Sequence, residues 1–234
     1  MRVTNDERAA ALRVEFDAKA TVYESNRLSA WYKAQAEEIV RVLDAAPGEV
    51  ILDVACGTGW LLRTLLRQNP GVRGVGLELS PRMVEVARER ARSEGIRGVT
   101  FAVADWVDVD PEALRRKLRL DALQTVCCVS AFHYFPDPFA AVEKVFRILS
   151  PSGRFLLLDR AREGSPGTVL WDAVHRLVLR DATKFYRTSE LVSLLQTAGF
   201  ERVKVVRAIR KLFWKGKITT SLALVVAEKG GPDD

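Results

Sequence analysis

The sequence predicts an α/β fold: a doubly wound, mostly parallel seven-stranded sheet with helical lid segments. Three observations predict it. Apolar strand-like runs alternate with helical patterns over residues 50–159, as successive β-α-β units require. The first run breaks into Cys56-Gly57-Thr58-Gly59, and a helical pattern opens at Trp60. A strand, a glycine turn and a helix N-terminus together place a small polar ligand at the strand's carboxyl end. Strands one to three also carry acidic residues at roughly one register, Asp53, Glu78 and Asp105.

Taken in order, strand one is read as residues 50–55 and its helix as 59–68. Strand two covers 72–77 and ends in Glu78, with a helix over 81–95 that starts at Ser80-Pro81; proline suits a helix's first turn. Strand three covers 99–104, ends in Asp105-Trp106 and leads to a helix over 111–118. Strand four covers 121–129, runs into Ser-Ala-Phe-His-Tyr-Phe-Pro-Asp and is followed by a helix over 137–149. Strand five covers 154–158 and ends in Asp159. A helix over 189–198 stops at Gly199, and strands over 203–206 and 222–227 complete the sheet. Two segments stand outside it. Residues 4–46 read as two amphipathic helices around a break at 23–29. Residues 161–187 form an insertion with a glycine loop at 164–167 and a helix over 171–179. Both attach beyond the carboxyl ends of the strands, where ligands bind in such sheets. Residues 1–46 are therefore assigned to an N-terminal helical lid, 47–228 to the core with 161–187 as a lid insertion, and 229–234 to a disordered tail.

Hydrophobic residues make up 48% and charged residues 28% of the 234 positions, the balance of a globular domain. No run approaches the roughly 18 apolar residues of a membrane span, and MRVTNDERAA has no secretory pattern. Cys56, Cys127 and Cys128 lie in apolar surroundings without metal-ligand spacing. They read as reduced thiols of a cytoplasmic protein, and no metal is expected. The net charge of +6 comes with basic clusters at Arg115-Arg116-Lys117-Arg119 and over 202–217. Aromatic residues do not interleave with these charges, except at Phe213-Trp214-Lys215. The clusters therefore read as solvated faces rather than a nucleic-acid surface.

A dinucleotide fingerprint would need a third glycine at position 62, where Leu62 stands. Glu78 follows Asp53 by 25 residues, the position at which an acidic group meets ribose hydroxyls. Several stretches then carry a resemblance: Leu-Asp-Val-Ala-Cys-Gly-Thr-Gly (52–59), Gly-Val-Gly-Leu-Glu-Leu-Ser-Pro-Arg-Met (74–83), Ala-Asp-Trp (104–106), Phe-His-Tyr-Phe-Pro-Asp (132–137) and Arg-Ile-Leu-Ser-Pro-Ser-Gly (147–153). Over about residues 14–228 the chain resembles the class I S-adenosylmethionine-dependent methyltransferases, within the group containing the ubiquinone and menaquinone methyltransferases. Two departures stand out. Glu78 replaces the commoner aspartate, and Ser152-Gly153 replaces two adjacent glycines.

The resemblance implies a Rossmann-like sheet with an antiparallel last strand, S-adenosyl-L-methionine as cofactor and S-adenosyl-L-homocysteine as product. It implies that Gly57 and Gly59 approach the methionine part and that Asp53 orders this loop or reaches the amino group through water. Glu78 would accept from the ribose diol, Asp105 from the adenine amine, and the Trp106 N–H would meet a ring nitrogen. Ala55, Leu79 and Met83 complete the set as members of the matched motifs. Tyr23 ends the pattern Phe16-Asp17-Ala18-Lys19-Ala20-Thr21-Val22-Tyr23 and would close over the methionine end. Asp105 also fits an ordinary turn residue.

His133 is the candidate general base, and His175 is the chain's other histidine; a packing role for His133 remains open. Tyr134, Tyr186 and Arg187 are candidates for the acceptor pocket, although Tyr186-Arg187 also suits the approach to a helix cap at Thr188 or Ser189. Closed lids would exclude water from the reaction. The expected activity is methylation of a small molecule of quinone-like, phenolic or natural-product type, and a homodimer is left open. The alternatives are an RNA methyltransferase and a non-catalytic S-adenosylmethionine-binding protein. A nicotinamide oxidoreductase is disfavoured by Leu62.

Overall fold

A parallel strand covered on both faces needs an almost unbroken apolar run, and the stretches after residue 50 supply it. The computed structural model describes residues 4–25, 29–119, 123–161, 185–209, 213–214, 217–218 and 221–231, and the chain divides into two units, 1–129 and 130–234. The first unit holds β1 (Val50–Val54), β2 (Arg73–Glu78), β3 (Val99–Val103) and β4 (Thr125–Val129), parallel in the order β3-β2-β1-β4. Leu52 pairs with Val75 on one side and Val126 on the other, and all three are buried. Two helices turn apolar faces inward: α3 (Trp60–Gln68) through Leu61, Leu62, Leu65 and Leu66, and α4 (Pro81–Ser93) through Met83, Val84, Val86 and Ala87. Ser80 caps α4 by accepting the Met83 N–H at 3.0 Å, with Pro81 in the first turn. Asp110 and Pro111 start α5 (Pro111–Leu118) in the same way.

Ahead of this sheet lie α1 (Asn5–Lys19) and α2 (Ser29–Leu43). A reciprocal box starts α1: Thr4 Oγ1 accepts the Glu7 N–H at 3.2 Å, and Glu7 Oε2 accepts the Thr4 N–H at 2.8 Å. The amphipathic face expected of α1 is weak, for none of its residues is buried. Towards its C-terminal end Phe16, with Tyr23 just beyond the helix, packs on buried Ala20, Met83 and Val86.

The second unit begins with a 3-10 turn at Phe132–Tyr134 and α6 (Pro138–Ile148), capped by Asp137. Next come β5 (Arg154–Ala161), α7 (Thr188–Thr197), β6 (Arg202–Ile209) and, after a two-stranded hairpin of β7 (Phe213–Trp214) and β8 (Lys217–Ile218), β9 (Ser221–Glu228). β9 runs antiparallel to both β5 and β6. The full sheet has seven strands in the order β3-β2-β1-β4-β5-β9-β6. The hairpin was not anticipated. β6 is twice its expected length because it follows β9 across a register irregularity between Val205 and Arg207. β5 likewise extends past Asp159, which pairs with Ala223.

Ser152, which stands in place of a glycine, takes the left-handed conformation, φ 58°, at a cost on the order of 1 kcal/mol. Its N–H donates to Gly230 O at 3.0 Å. Lys229, the first residue of the expected tail, is held in place: its N–H donates to Gly153 O and its ammonium bonds the Phe146 and Leu149 carbonyls, each at 2.9 Å; residues 232–234 lie outside the described residues. Most of the 161–187 insertion, including the helix expected over 171–179, lies outside the described residues.

Candidate functional site

In the first unit the residues after β1 and β2 meet at the glycine turn. Ala55 and Gly57 both have positive φ, 59° and 55°, and the Gly57 N–H donates to Glu78 Oε2 at 2.9 Å. The other Glu78 oxygen accepts the Ser80 N–H at 3.0 Å. Burial pushes the Glu78 carboxyl up; the N–H groups of Ser80, Gly57 and Leu79 counteract this in part, and the nearby Asp17 charge adds to the rise. Asp53 is 3% exposed. Burial first, and then the Glu78 charge, drive its carboxyl well above the ordinary range. Burial and the same two carboxylates raise the Cys56 thiol, which keeps it protonated and unreactive.

The two glycines serve different ends. A Cβ on Gly59, at φ 75°, would sit 2.6 Å from the Phe101 ring, so this glycine answers to packing within the unit. A Cβ on Gly57 would meet nothing nearer than the Tyr23 ring at 3.9 Å, which leaves its backbone approachable from that side. Two buried carboxylates, one of them raised by the charge of the other, beside an approachable glycine backbone form a set of acceptors suited to a cationic, hydroxyl-bearing ligand. Met83 is sealed in the cluster with Ala20 and Val86 and offers packing; Leu79 is half-buried. Asp105 is half-buried, and its Oδ1 accepts the Val107 N–H at 2.9 Å, as a turn aspartate does. Trp106 is buried beside it.

The N-terminal segment reaches each of these loops. Asp17 accepts from the Ser80 hydroxyl and from the Arg82 N–H at the start of α4. Arg8 lies within the electrostatic reach of Asp105 and Asp108; burial lowers its pKa, and those two charges counteract the fall. Tyr23 stacks on Tyr32 with centroids 5.2 Å apart. Glu24, 8% exposed, accepts from the Thr58 hydroxyl at 2.6 Å and pairs with Arg63, itself 1% exposed and bridged also to Glu94. Sequence reasoning missed Glu24 and Arg63. The available signal was an arginine among the leucines of WLLRTLLRQ, where a buried charge must find a partner.

The second unit holds His133, 4% exposed. Its Nδ1 lies 2.7 Å from Asp159 Oδ1, and its backbone N–H donates to Asp159 Oδ2 at 2.9 Å. The rings of Tyr134 and Phe185 flank the imidazole, with centroids 4.2 and 5.6 Å away. Tyr186 packs against Phe132, and Arg187 leads into α7 with its N–H on Glu190 at 2.7 Å. Asp159 was noted only as the end of strand five; its partner is 26 residues away, and spacing gives no hint of the pair. Among the described residues no His, Cys, Asp and Glu group could hold a metal ion, and no helix is long and apolar enough to cross a membrane.

A family model described as a methyltransferase domain matches residues 45–220. The methyltransferase GfsG of Streptomyces halstedii is 27% identical over 171 residues, covering 72% of this chain and 59% of its own length. The demethylmenaquinone methyltransferase of Thermus thermophilus is 34% identical over 117 residues, covering 50% of this chain and 49% of its own. The chain thus spans between 49% and 59% of the length of these two curated relatives. A methyltransferase solved in complex with the Trm112 methyltransferase activator of Haloferax volcanii superposes with a TM-score of 0.71 at 22% identity, over 92% of this chain and 98% of that one. That likeness is one of fold.

Proposed function

The chain belongs to the methyltransferase-domain family, and on that footing we propose that it transfers a methyl group from S-adenosylmethionine to a small molecule of quinone-like, phenolic or natural-product type. The observation that carries the proposal is the buried Asp53–Glu78 pair beside Gly57, a site short of positive charge and rich in acceptors. When bound, S-adenosylmethionine supplies a methyl group activated by positive sulfur. Asp53 offsets the cofactor's positive charge, and a bound cation in turn lowers the cost of keeping Asp53 ionised. Each Glu78 oxygen accepts a backbone N–H and keeps lone pairs for the ribose hydroxyls. Asp105 and the Trp106 N–H are assigned to the adenine edge, and Ala55, Gly59, Leu79 and Met83 shape the loops between.

The N-terminal segment serves as the lid. Arg8, Asp17 and Glu24 each fasten it to one of the three loops, and Tyr23 lies over Gly57. The names of the curated relatives support a small acceptor, since one acts on demethylmenaquinone.

The test is calorimetry with S-adenosylhomocysteine on chelator-treated protein. A micromolar dissociation constant, about −8 kcal/mol, is expected. Failure to bind, or binding that appears only when a divalent ion is restored, overturns the proposal.

A further inference from the structure

The sheet ends at β3 on one side and at β6 on the other, and the two edges differ in chemistry. β6 carries Arg202 and Lys204 and breaks register with β9 between Val205 and Arg207. Charges and an irregularity of this kind keep an edge from adding a further strand. β3, Val-Thr-Phe-Ala-Val, has neither charge nor proline and pairs with β2 without a break up to Val103. Its outer side follows from the ladder. The Gly74 N–H donates to Gly98 O and the Ala104 N–H to Glu78 O, each at 2.9 Å. Residues 98, 100, 102 and 104 therefore face β2, and Val99, Phe101 and Val103 turn their N–H and C=O groups outward. Among the described residues one of these outward groups has a partner: Phe101 O accepts from Arg88, through Nε at 3.2 Å and Nη2 at 2.6 Å.

Beside this edge lies a cavity of about 580 Å³, lined by the apolar Ala91, Ile96, Val99 and Phe101 together with Arg88 and Arg92. The other arginines of α4 are neutralised, Arg82 by Glu85 and Arg90 by Glu24. Glu94 is taken by Arg63 and Arg67. Arg88 and Arg92 pair with no carboxylate among the described residues. Arg92 Nε donates to Arg88 O at 3.3 Å, so each guanidinium is anchored on main chain and keeps terminal N–H donors for an anion. The two lie four residues apart on α4, about 6 Å along the helix axis. Alternate residues of an extended chain are spaced similarly, at about 6.6 Å.

We propose that the β3 edge is the docking site for an extended acidic segment of a partner protein, which adds as a further strand and directs carboxylates, at every second residue, to Arg88 and Arg92. The segment's backbone takes up the outward groups of Val99, Phe101 and Val103. One of its N–H groups replaces Arg88 on the Phe101 carbonyl and releases that guanidinium to a carboxylate. A small anion alone would leave the outward backbone and the apolar lining unused. A second copy pairing edge to edge would bring the arginines of both copies to one seam, like charge against like charge. The inference is independent of the methyl-transfer reading.

The test uses the ¹⁵N-labelled protein and a capped hexapeptide that alternates threonine with glutamate. A dissociation constant below about 1 mM is expected at low salt, with slowed amide exchange at Val99, Phe101 and Val103 and little change at Thr100 and Ala102. The matching threonine–lysine peptide should bind at least about tenfold more weakly. Arg88→Glu combined with Arg92→Glu should invert that preference and leave the affinity for S-adenosylhomocysteine unchanged. Absence of binding, equal affinity for the two peptides, no protection of the three outward amides, or the same changes with inorganic phosphate alone overturns the inference. These outcomes are read on the wild type and hold whether or not the variant folds. Protection of the same amides that rises with protein concentration, without peptide, would assign the edge to a second copy and overturn it as well.

Discussion

Asp53 in the first unit and Asp159 in the second are both strand aspartates with almost no exposure, 3% and 1%, and their environments drive them in opposite directions. Asp53 faces the Glu78 carboxylate, and its carboxyl is pushed well up. Asp159 meets an imidazole and two backbone N–H groups, and despite the same burial its carboxyl is held down. Burial makes an unpartnered charge costly in both places; the partners decide whether the protein itself meets that cost. The second unit satisfies its acid internally. The first leaves a deficit of positive charge, and in the proposed function a cationic ligand fills it, so that binding there would come at some expense of stability in the ligand's absence.

The largest effect that probes this contrast is expected from Asp159→Ala. It leaves His133 Nδ1–H and two backbone N–H groups without their acceptor and should lower stability by about 3–5 kcal/mol in denaturant melts. A loss below about 1 kcal/mol would break the comparison, because the internal pairing would then count for little. Glu78→Ala should weaken S-adenosylhomocysteine binding by about 1.5–3 kcal/mol while cooperative unfolding persists. An unchanged dissociation constant would confine Glu78 to arranging the Gly57 and Ser80 backbone.

Asp53→Asn works the other way. Removal of a disfavoured charge should raise the stability of the ligand-free protein by roughly 0.5–2 kcal/mol and weaken the ligand, as melts and calorimetry on one preparation would reveal. A destabilised variant would show that the Asp53 charge is already compensated within the unit.

The smallest effect is in pH dependence, and its sign differs between the two acids. Because Asp159 is depressed, its stabilisation is present above the unfolded carboxylate value of ~3.9 and is lost as pH falls through the lower folded value. Because Asp53 is raised, the folded state's advantage is full below ~3.9 and is lost as pH rises through the higher folded value. In urea melts from about pH 3 to about pH 8, the gain from Asp53→Asn should therefore grow with pH. The deficit of Asp159→Asn should shrink at the acid end. Parallel curves for the two variants would remove the distinction.

Much of the architecture was legible in advance because it depends on local chemistry. The apolar runs at 51–54 and 154–158, the Ser80-Pro81 helix start and the glycine turn each state their conformation within a few residues. Gly57 and Glu78 were also readable as partners of one site, since a β-α-β unit returns the second strand beside the first. β6 was underestimated because its length depends on pairing with β9, which its own pattern does not record. At Ser152, noted only as a departure from two adjacent glycines, the left-handed conformation shows in the structure, with the serine N–H bonded to Gly230 O.

By itself, then, the sequence determined the strand and helix types, the acids at the strand ends and the turn that exposes Gly57, all consequences of spacing along the chain. The tertiary structure alone decided which acid is satisfied. Glu24 found Arg63 across 39 residues, and His133 found Asp159 across 26. The balance between desolvation and partner charge varies over a few ångströms, and that distance is fixed only when separate segments pack together.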